Sequence, residues 1–256
     1  MEKIHRLHLE KITSPSNTYD WIPMDTEELF NENLKKYPND ISLNYYLKNP
    51  IEYKLNNYGF RTPDDFNSED EGNVFLGCSH TFGIGHRLEN TWAYKVNQYV
   101  GGKFWNLGVG GTGVMSHYRI LSQLYKKLKI KNIFHYVPKY CRYEFYVDNE
   151  PISFNVTDIN DDKIGVRGKF LKMGEFLETS LINNDQMEIT YNTHINAIKW
   201  LSYEIGCDYY MLDTCRTYED ENTIRARDLT HYSIHREETL SKNFIMMYKR
   251  KNKIYK

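Results

Sequence analysis

From residue 73 onward, short apolar runs alternate with longer stretches in which apolar residues recur every three or four positions. Val74-Phe75-Leu76, Phe104-Trp105-Asn106-Leu107, Ile133 to Val137 and Tyr209-Tyr210-Met211-Leu212 have the length and composition of buried strands, and Pro138 ends the third of them. Four stretches have helical spacing. Residues 90–100 carry Trp92, Val96 and Tyr99 on one face, and residues 114–129 carry Val114, Tyr118, Leu121, Tyr125 and Leu128. Residues 194–205 carry Ile195, Ile198, Leu201 and Ile205, and residues 235–249 carry Leu240, Phe244 and Met247. This alternation predicts an α/β fold in three layers, α/β/α, with a mostly parallel central sheet covered by helices on both faces.

Two regions break the rhythm. Residues 1–70 read as an N-terminal extension packed on the main domain, which spans residues 71–256. Within the extension, Asp25-Thr26-Glu27-Glu28 looks like a helix start with Asp25 as N-cap, and that helix runs to about Tyr37, before Pro38. Ile51 to Leu55 alternates like a half-buried strand, Asn57-Tyr58-Gly59-Phe60-Arg61 reads as a turn, and the acidic residues from Asp64 to Glu71 mark a polar linker. Residues 145–190, rich in Asn, Asp and Gly, read as an insertion with short strands at Ile152-Ser153-Phe154 and Met187-Glu188-Ile189. Insertions at that end of a sheet often shape a substrate pocket.

Composition narrows the function classes. The chain has 256 residues, 40% hydrophobic and 26% charged, with net charge −1, so a sizeable core is expected and a basic nucleic-acid stripe is not. The basic run Lys249-Arg250-Lys251 reads as a solvated tail. The four cysteines, Cys78, Cys141, Cys207 and Cys215, have no C-x-x-C pairing or metal-ligand spacing, so no metal site is expected. No apolar run approaches the length of a membrane span and no charged-then-apolar leader is evident, which predicts no membrane partner and a cytoplasmic location. The 22 tyrosines can line a carbohydrate groove or reflect codon usage.

Three short stretches fall at predicted strand carboxyl ends, where open α/β sheets place their chemistry. Ser79 follows the first strand and is either a nucleophile or a cap for the next helix. Asn106-Leu107-Gly108-Val109-Gly110-Gly111-Thr112-Gly113 follows the second strand. Its glycines let backbone N–H groups approach a developing negative charge, a phosphate, or nothing at all. It lacks the Lys-Ser/Thr of a P-loop. Asp228 stands three residues before His231, a spacing that lets the carboxylate fix the imidazole tautomer and leave Nε2 as a base; the alternative is a solvated Asp and a surface His.

Together these stretches resemble the SGNH (GDSL-like) hydrolase family. Gly77-Cys78-Ser79-His80-Thr81-Phe82-Gly83 is similar to its first block, with Cys78 in place of the usual Asp. Asn106 to Gly111 is similar to its second block, Asp228-Leu229-Thr230-His231 to its fifth, and Asn57 to Arg61 to a short element often found upstream. The resemblance covers roughly residues 55–248, without the insertion. It implies an SGNH/flavodoxin-like sheet and a Ser79–His231–Asp228 triad cleaving an ester through an acyl-enzyme, with Gly111 lending its N–H to the oxyanion. It also implies a small-molecule or carbohydrate ester as substrate, an O-acetyl group included, and a reaction that needs no metal or organic cofactor. The third block, Gly-x-Asn-Asp, is missing; Val137-Pro138-Lys139-Tyr140-Cys141-Arg142-Tyr143-Glu144 stands there instead. Arg142 either supplies a cationic oxyanion donor in place of the asparagine or pairs with Glu144. His80 and His117 are expected near the pocket, and His86, His135 and His235 at the surface or in packing. A non-catalytic binding or structural protein reusing this fold, and a nucleotide-binding domain built on residues 106–113, are the alternatives.

Overall fold

The computed structural model describes residues 16–138, 142–147, 150–155, 184–213 and 223–254. Four strands, β3 (Glu71–Leu76), β4 (Lys103–Asn106), β5 (Lys129–Val137) and β8 (Asp208–Asp213), form one parallel sheet in the order β4-β3-β5-β8. Helices α5 (Val114–Leu124) and α6 (Asn184–Ile205) cover one face; α4 (Trp92–Val100) and α7 (Ile234–Ile254) cover the other. The alternation of side chains along each strand assigns residues to layers. Val74, Leu76, Trp105 and Ile133 pack with Ile120, Leu124, Ile198 and Leu201 on the first face. Phe75, Phe104, Phe134 and Tyr136 pack with Trp92, Val96, Leu240 and Phe244 on the second. Every parallel pairing is in register from strand base to carboxyl end, apart from one irregularity between Gly72 and Asn73.

The predicted three-layer parallel architecture is therefore present. Two element expectations in the main domain change. The helix at residues 114–129 stops at Leu124; a 3-10 turn follows, and Leu128 leads in extended conformation into β5 because it packs under the sheet. Met187-Glu188-Ile189 is helical, not a strand. It opens the 22-residue α6, where Met187, Tyr191, Ile195 and Ile198 recur at three to four positions and face the sheet side. The insertion contains an antiparallel hairpin, β6 (Arg142–Val147) and β7 (Glu150–Asn155), in which the predicted segment 152–154 falls.

The N-terminal segment forms α1 (Glu27–Lys36), α2 (Ile41–Lys48) and a minimal antiparallel pair, β1 (Thr18–Tyr19) with β2 (Tyr53–Lys54). Only two residues of the expected strand at 51–55 pair. Asp25 is not the N-cap of α1: Thr26 caps it, its Oγ1 accepting from Leu29 N at 3.2 Å. Asp25 is buried and bonded elsewhere. Arg227 donates to it through Nε (2.9 Å) and Nη2 (2.8 Å), and the Tyr53 hydroxyl donates to the same carboxylate. Ile22, Phe30, Leu43, Tyr46, Ile51, Tyr53 and Leu55 pack with Phe82 and Ile84 in a shared cluster, so this segment is continuous with the main core.

Removing one partner of a buried ion pair strands the other charge in low dielectric. Asp25→Ala is expected to lower unfolding free energy by about 3–5 kcal/mol in urea titrations, several times the cost of removing an exposed partner such as Asp64 beside Lys103.

Candidate active site

The site is assembled from three loops at the carboxyl end of the parallel sheet. Ser79 begins the single turn α3 (Ser79–Phe82) directly after β3. It is 8% exposed, and its carbonyl accepts from Gly83 N (2.8 Å) and Ile84 N (3.2 Å), closing that turn. Cys78, whose side chain makes no capping bond, precedes it.

The glycine loop after β4 lies against α3. Val109 N donates to Gly77 O at 3.1 Å, and Asn106 Nδ2 donates to Thr81 O at 2.9 Å. Gly108 is required by this approach, since a methyl group there would stand 2.5 Å from Phe82 N. Gly111 has φ +75°, a conformation L side chains rarely adopt, and Gly110 lies beside Ser79 Cβ. Ser79 and the Gly110–Gly111 turn are thus neighbours.

Asp228 and His231 form a local turn. Asp228 Oδ1 accepts from Thr230 N and His231 N, both at 3.1 Å; Oδ2 accepts from Thr230 Oγ1 and from His231 Nδ1, each at 2.5 Å. Burial pushes the Asp228 carboxyl up, but the bonds from His231 and Thr230 outweigh it and hold the group below the usual carboxylate range. The Nδ1–H is committed to Asp228, so the lone pair of the neutral ring lies on Nε2. Leu229 takes φ +59° inside the turn, strain that Leu229 N to Ala226 O (2.9 Å) and burial of its side chain in the N-terminal cluster offset. His231 approaches the Ser79 loop through the adjacent His80, whose ring meets it edge to face at 5.3 Å. Among the described residues no hydrogen bond joins Ser79 Oγ to His231 Nε2. Catalytic hydrogen bonds are often long without substrate and tighten on its binding.

Arg142 is not paired with Glu144. Glu144 takes a bidentate bond from Arg119 of α5 (2.7 and 3.0 Å), both side chains buried. This leaves the Arg142 guanidinium to reach the glycine loop, where Nη1 donates to Thr112 O at 3.2 Å. Ser153 on β7 donates to Gly111 O at 2.9 Å. The hairpin standing in place of the missing third block therefore braces the glycine loop through two side chains. Ser153 carried no sequence signal beyond its place in a predicted strand.

The histidines divide. His80 stacks on Tyr232 at 3.5 Å, and the Arg236 guanidinium covers the other face of that ring at 3.6 Å. His86 is buried between the Tyr46 hydroxyl (3.3 Å) and Tyr232 O (2.7 Å). His117, expected near the pocket, is instead fully buried behind the glycine loop, bonded to Thr112 and His135. Among the described residues no group of three His, Cys, Asp or Glu side chains could hold a metal, and no helix is long and apolar enough to cross a membrane. A cavity of about 420 Å³ opens elsewhere, between Glu52, Lys54 and Pro63 and the segment Arg87 to Glu89; neither Ser79 nor His231 lines it.

Sequence reasoning also missed Arg61. Its buried guanidinium donates to Gly83 O (2.6 Å), His86 O (2.8 Å) and Glu52 O (3.1 Å), which fastens the chain leaving α3. Its membership of the Asn57 to Arg61 element was the available signal.

A serine opening a turn after β3, a glycine loop after β4 and an Asp-x-x-His turn before the last helix occupy one end of the sheet. The fold is a three-layer α/β/α arrangement on a parallel four-stranded sheet. No family model matches the chain, and no curated protein does. Solved structures with which it shares similarity include a protein assigned to the G-D-S-L lipolytic family of Desulfitobacterium hafniense, at 16% identity over 67% of this chain and 95% of that one, TM-score 0.31. A carbohydrate acetylesterase family member of Sinorhizobium meliloti matches at 14% identity, 67% and 94% coverage and TM-score 0.30. Axe2, an acetylxylan esterase of Geobacillus stearothermophilus, matches at 16% identity, 71% and 94% coverage and TM-score 0.32.

Burial lowers the pKa of His86 to about 4 and of His135 to about 3, and pushes His80 and His117 well below 6.5. These rings stay neutral when folded and take up protons near pH 6.5 when unfolded, so stability falls as pH drops below that value. Glu237 acts oppositely: burial raises it to about 8, so its folded form holds a proton that the unfolded chain releases above about 4.5. Four groups outweigh one between pH 6.5 and 4.5. Urea midpoints are expected to fall steadily over that range, each histidine contributing up to about 1.4 kcal/mol per pH unit.

Proposed function

We propose that this protein is a serine hydrolase cleaving an ester through a covalent acyl-enzyme. The observation that carries the reading is the Asp228–His231 pair, with Nδ1 held by the carboxylate, in a loop that meets the Ser79 turn. In this reading Ser79 Oγ attacks the ester carbonyl carbon while His231 Nε2 takes its proton, so a C–O bond forms and the carbonyl becomes an oxyanion. The N–H groups of Ser79 and Gly111 hold that oxyanion. As the tetrahedral species collapses, the bond to the alcohol oxygen breaks and His231 returns the proton to it. Water then attacks the acyl-Ser79 carbonyl with the same base, releasing the acid and restoring the serine. Asp228 keeps the imidazole in one tautomer and stabilises the transient imidazolium.

The hairpin supplies what the missing third block does not. Arg142 brings a cation to the glycine loop, and its bond to Thr112 O supports a role in steadying charge there. The substrate class in this reading is an O-acetylated carbohydrate or another small ester.

Fluorophosphonate labelling followed by peptide mapping should find the probe on Ser79, and Ser79→Ala should cut turnover of a small acetyl ester by about 10³-fold or more. Activity unchanged in Ser79→Ala would overturn the reading. The alternative is a binding protein that reuses the fold, which the lack of a Ser79–His231 hydrogen bond favours; absence of turnover together with saturable oligosaccharide binding would establish it. Arg142→Ala should lower kcat by about 10- to 100-fold with a smaller change in KM, and Arg142→Lys should recover part of it.

A further inference from the structure

The reaction just described makes no use of His117 or His135, yet burying two imidazoles is costly unless their nitrogens are all bonded. Their bonds form one chain. Thr112 Oγ1 lies 2.7 Å from Val109 O and 3.2 Å from His117 Nε2. His117 Nδ1 lies 2.9 Å from His135 Nε2, and His135 Nδ1 lies 2.8 Å from the Tyr209 hydroxyl.

The direction of every bond follows from its first member. Val109 O can only accept, so it takes the single hydroxyl proton of Thr112. Thr112 Oγ1 must then accept from His117, whose proton therefore sits on Nε2. His117 Nδ1 is left as an acceptor and takes the Nε2–H of His135. His135 Nδ1 is an acceptor in turn, and the Tyr209 hydroxyl donates to it. Both rings are neutral Nε2–H tautomers, and all four ring nitrogens are bonded. The chain runs from β8 across β5 and α5 to the 109–112 turn that contains Gly110 and Gly111.

We propose that His117, His135 and Tyr209 are positioning residues that hold the Val109–Thr112 turn, and with it the Gly111 N–H, in the orientation the oxyanion requires. The assignment of a task to Gly111 rests on the serine-hydrolase reading; the chain itself does not. Thr112 is held from both sides: through Oγ1 by the imidazole chain and through its carbonyl by Arg142. A polar line spanning two strands and the helix that covers them fixes the turn relative to the sheet more narrowly than apolar packing does, because each link tolerates only one donor orientation.

The first test needs no variant. Long-range proton–nitrogen correlation spectra of the 15N-labelled protein near pH 7 should show His117 and His135 both as Nε2–H tautomers; an Nδ1–H tautomer or a doubly protonated ring at either position would overturn the chain. Tyr209→Phe removes the terminal donor at a partly buried position and should release the tautomer of His135. It should also raise amide exchange at Gly111 by about tenfold relative to β3 amides, and lower ester kcat by about tenfold at unchanged KM. His117→Gln, which keeps one donor and one acceptor, should lose less than His117→Leu. Unchanged Gly111 exchange in Tyr209→Phe sinks the positioning role. If Ser79→Ala shows no esterase, the serine-hydrolase reading fails while the tautomer and exchange measurements still decide the chain.

Discussion

The Arg227–Asp25 ion pair is the constraint on which the candidate site depends. Arg227 immediately precedes Asp228, so whatever fixes its guanidinium also fixes the start of the Asp-x-x-His turn. Its head group is bidentate to Asp25, donates to Asp20 O at 2.6 Å and lies over the Trp21 ring at 3.7 Å, all from the N-terminal segment. Its backbone N–H donates to Gly85 O at 2.9 Å, in the loop that leaves the Ser79 turn. Tyr53 completes the junction: its hydroxyl donates to Asp25 and accepts from Gly85 N at 2.8 Å. Two loops from opposite ends of the main domain are thereby referred to one buried carboxylate. A buried ion pair is a poor source of net stability, but its directional bonds tolerate few alternative arrangements.

Seen this way, the N-terminal segment belongs to the site's support. Arg225 extends the same junction, bonding Asp40 at 2.6 Å and, through its N–H, Ser42 Oγ at 2.8 Å at the start of α2. Arg61 does the equivalent for the serine, collecting carbonyls on either side of Gly83. The candidate groups Ser79, Asp228 and His231 sit on loops or single turns, and these are held by buried side chains from other elements. The β6–β7 hairpin plays the corresponding part for the glycine loop. Arg119–Glu144 anchors it to α5, and Arg142 and Ser153 reach from it to the carbonyls of Thr112 and Gly111.

What was legible in the chain was local. The β/α rhythm could be read because burial on both faces of a parallel sheet demands continuous apolar runs, and the helices over it demand a 3.6-residue period. Ser79 after one run, the glycines after the next and Asp228 three residues from His231 could be read because a short turn brings each group together within a few residues. Where reading failed, the competing partner lay far along the chain. Asp25 had the sequence context of a cap and became the partner of Arg227 instead. Glu144, two residues from Arg142 and on the same side of a strand, was taken by Arg119. Met187 to Ile189 reads as a short apolar strand, and only its place on the buried stripe that Tyr191 and Ile195 continue makes it the first turn of α6.

The sequence by itself therefore determined the layers of this protein, the strand ends at which three candidate stretches fall and the local Asp228–His231 pairing, since each of these follows from periodicity or from contacts a few residues long. Only the tertiary structure decided that the N-terminal segment clamps the two loops that carry Ser79 and Asp228, that Arg142 reaches the glycine loop and that two buried histidines share one hydrogen-bond line. Those outcomes are choices among partners of equal chemical merit, and burial geometry, which no short stretch of sequence contains, makes the choice.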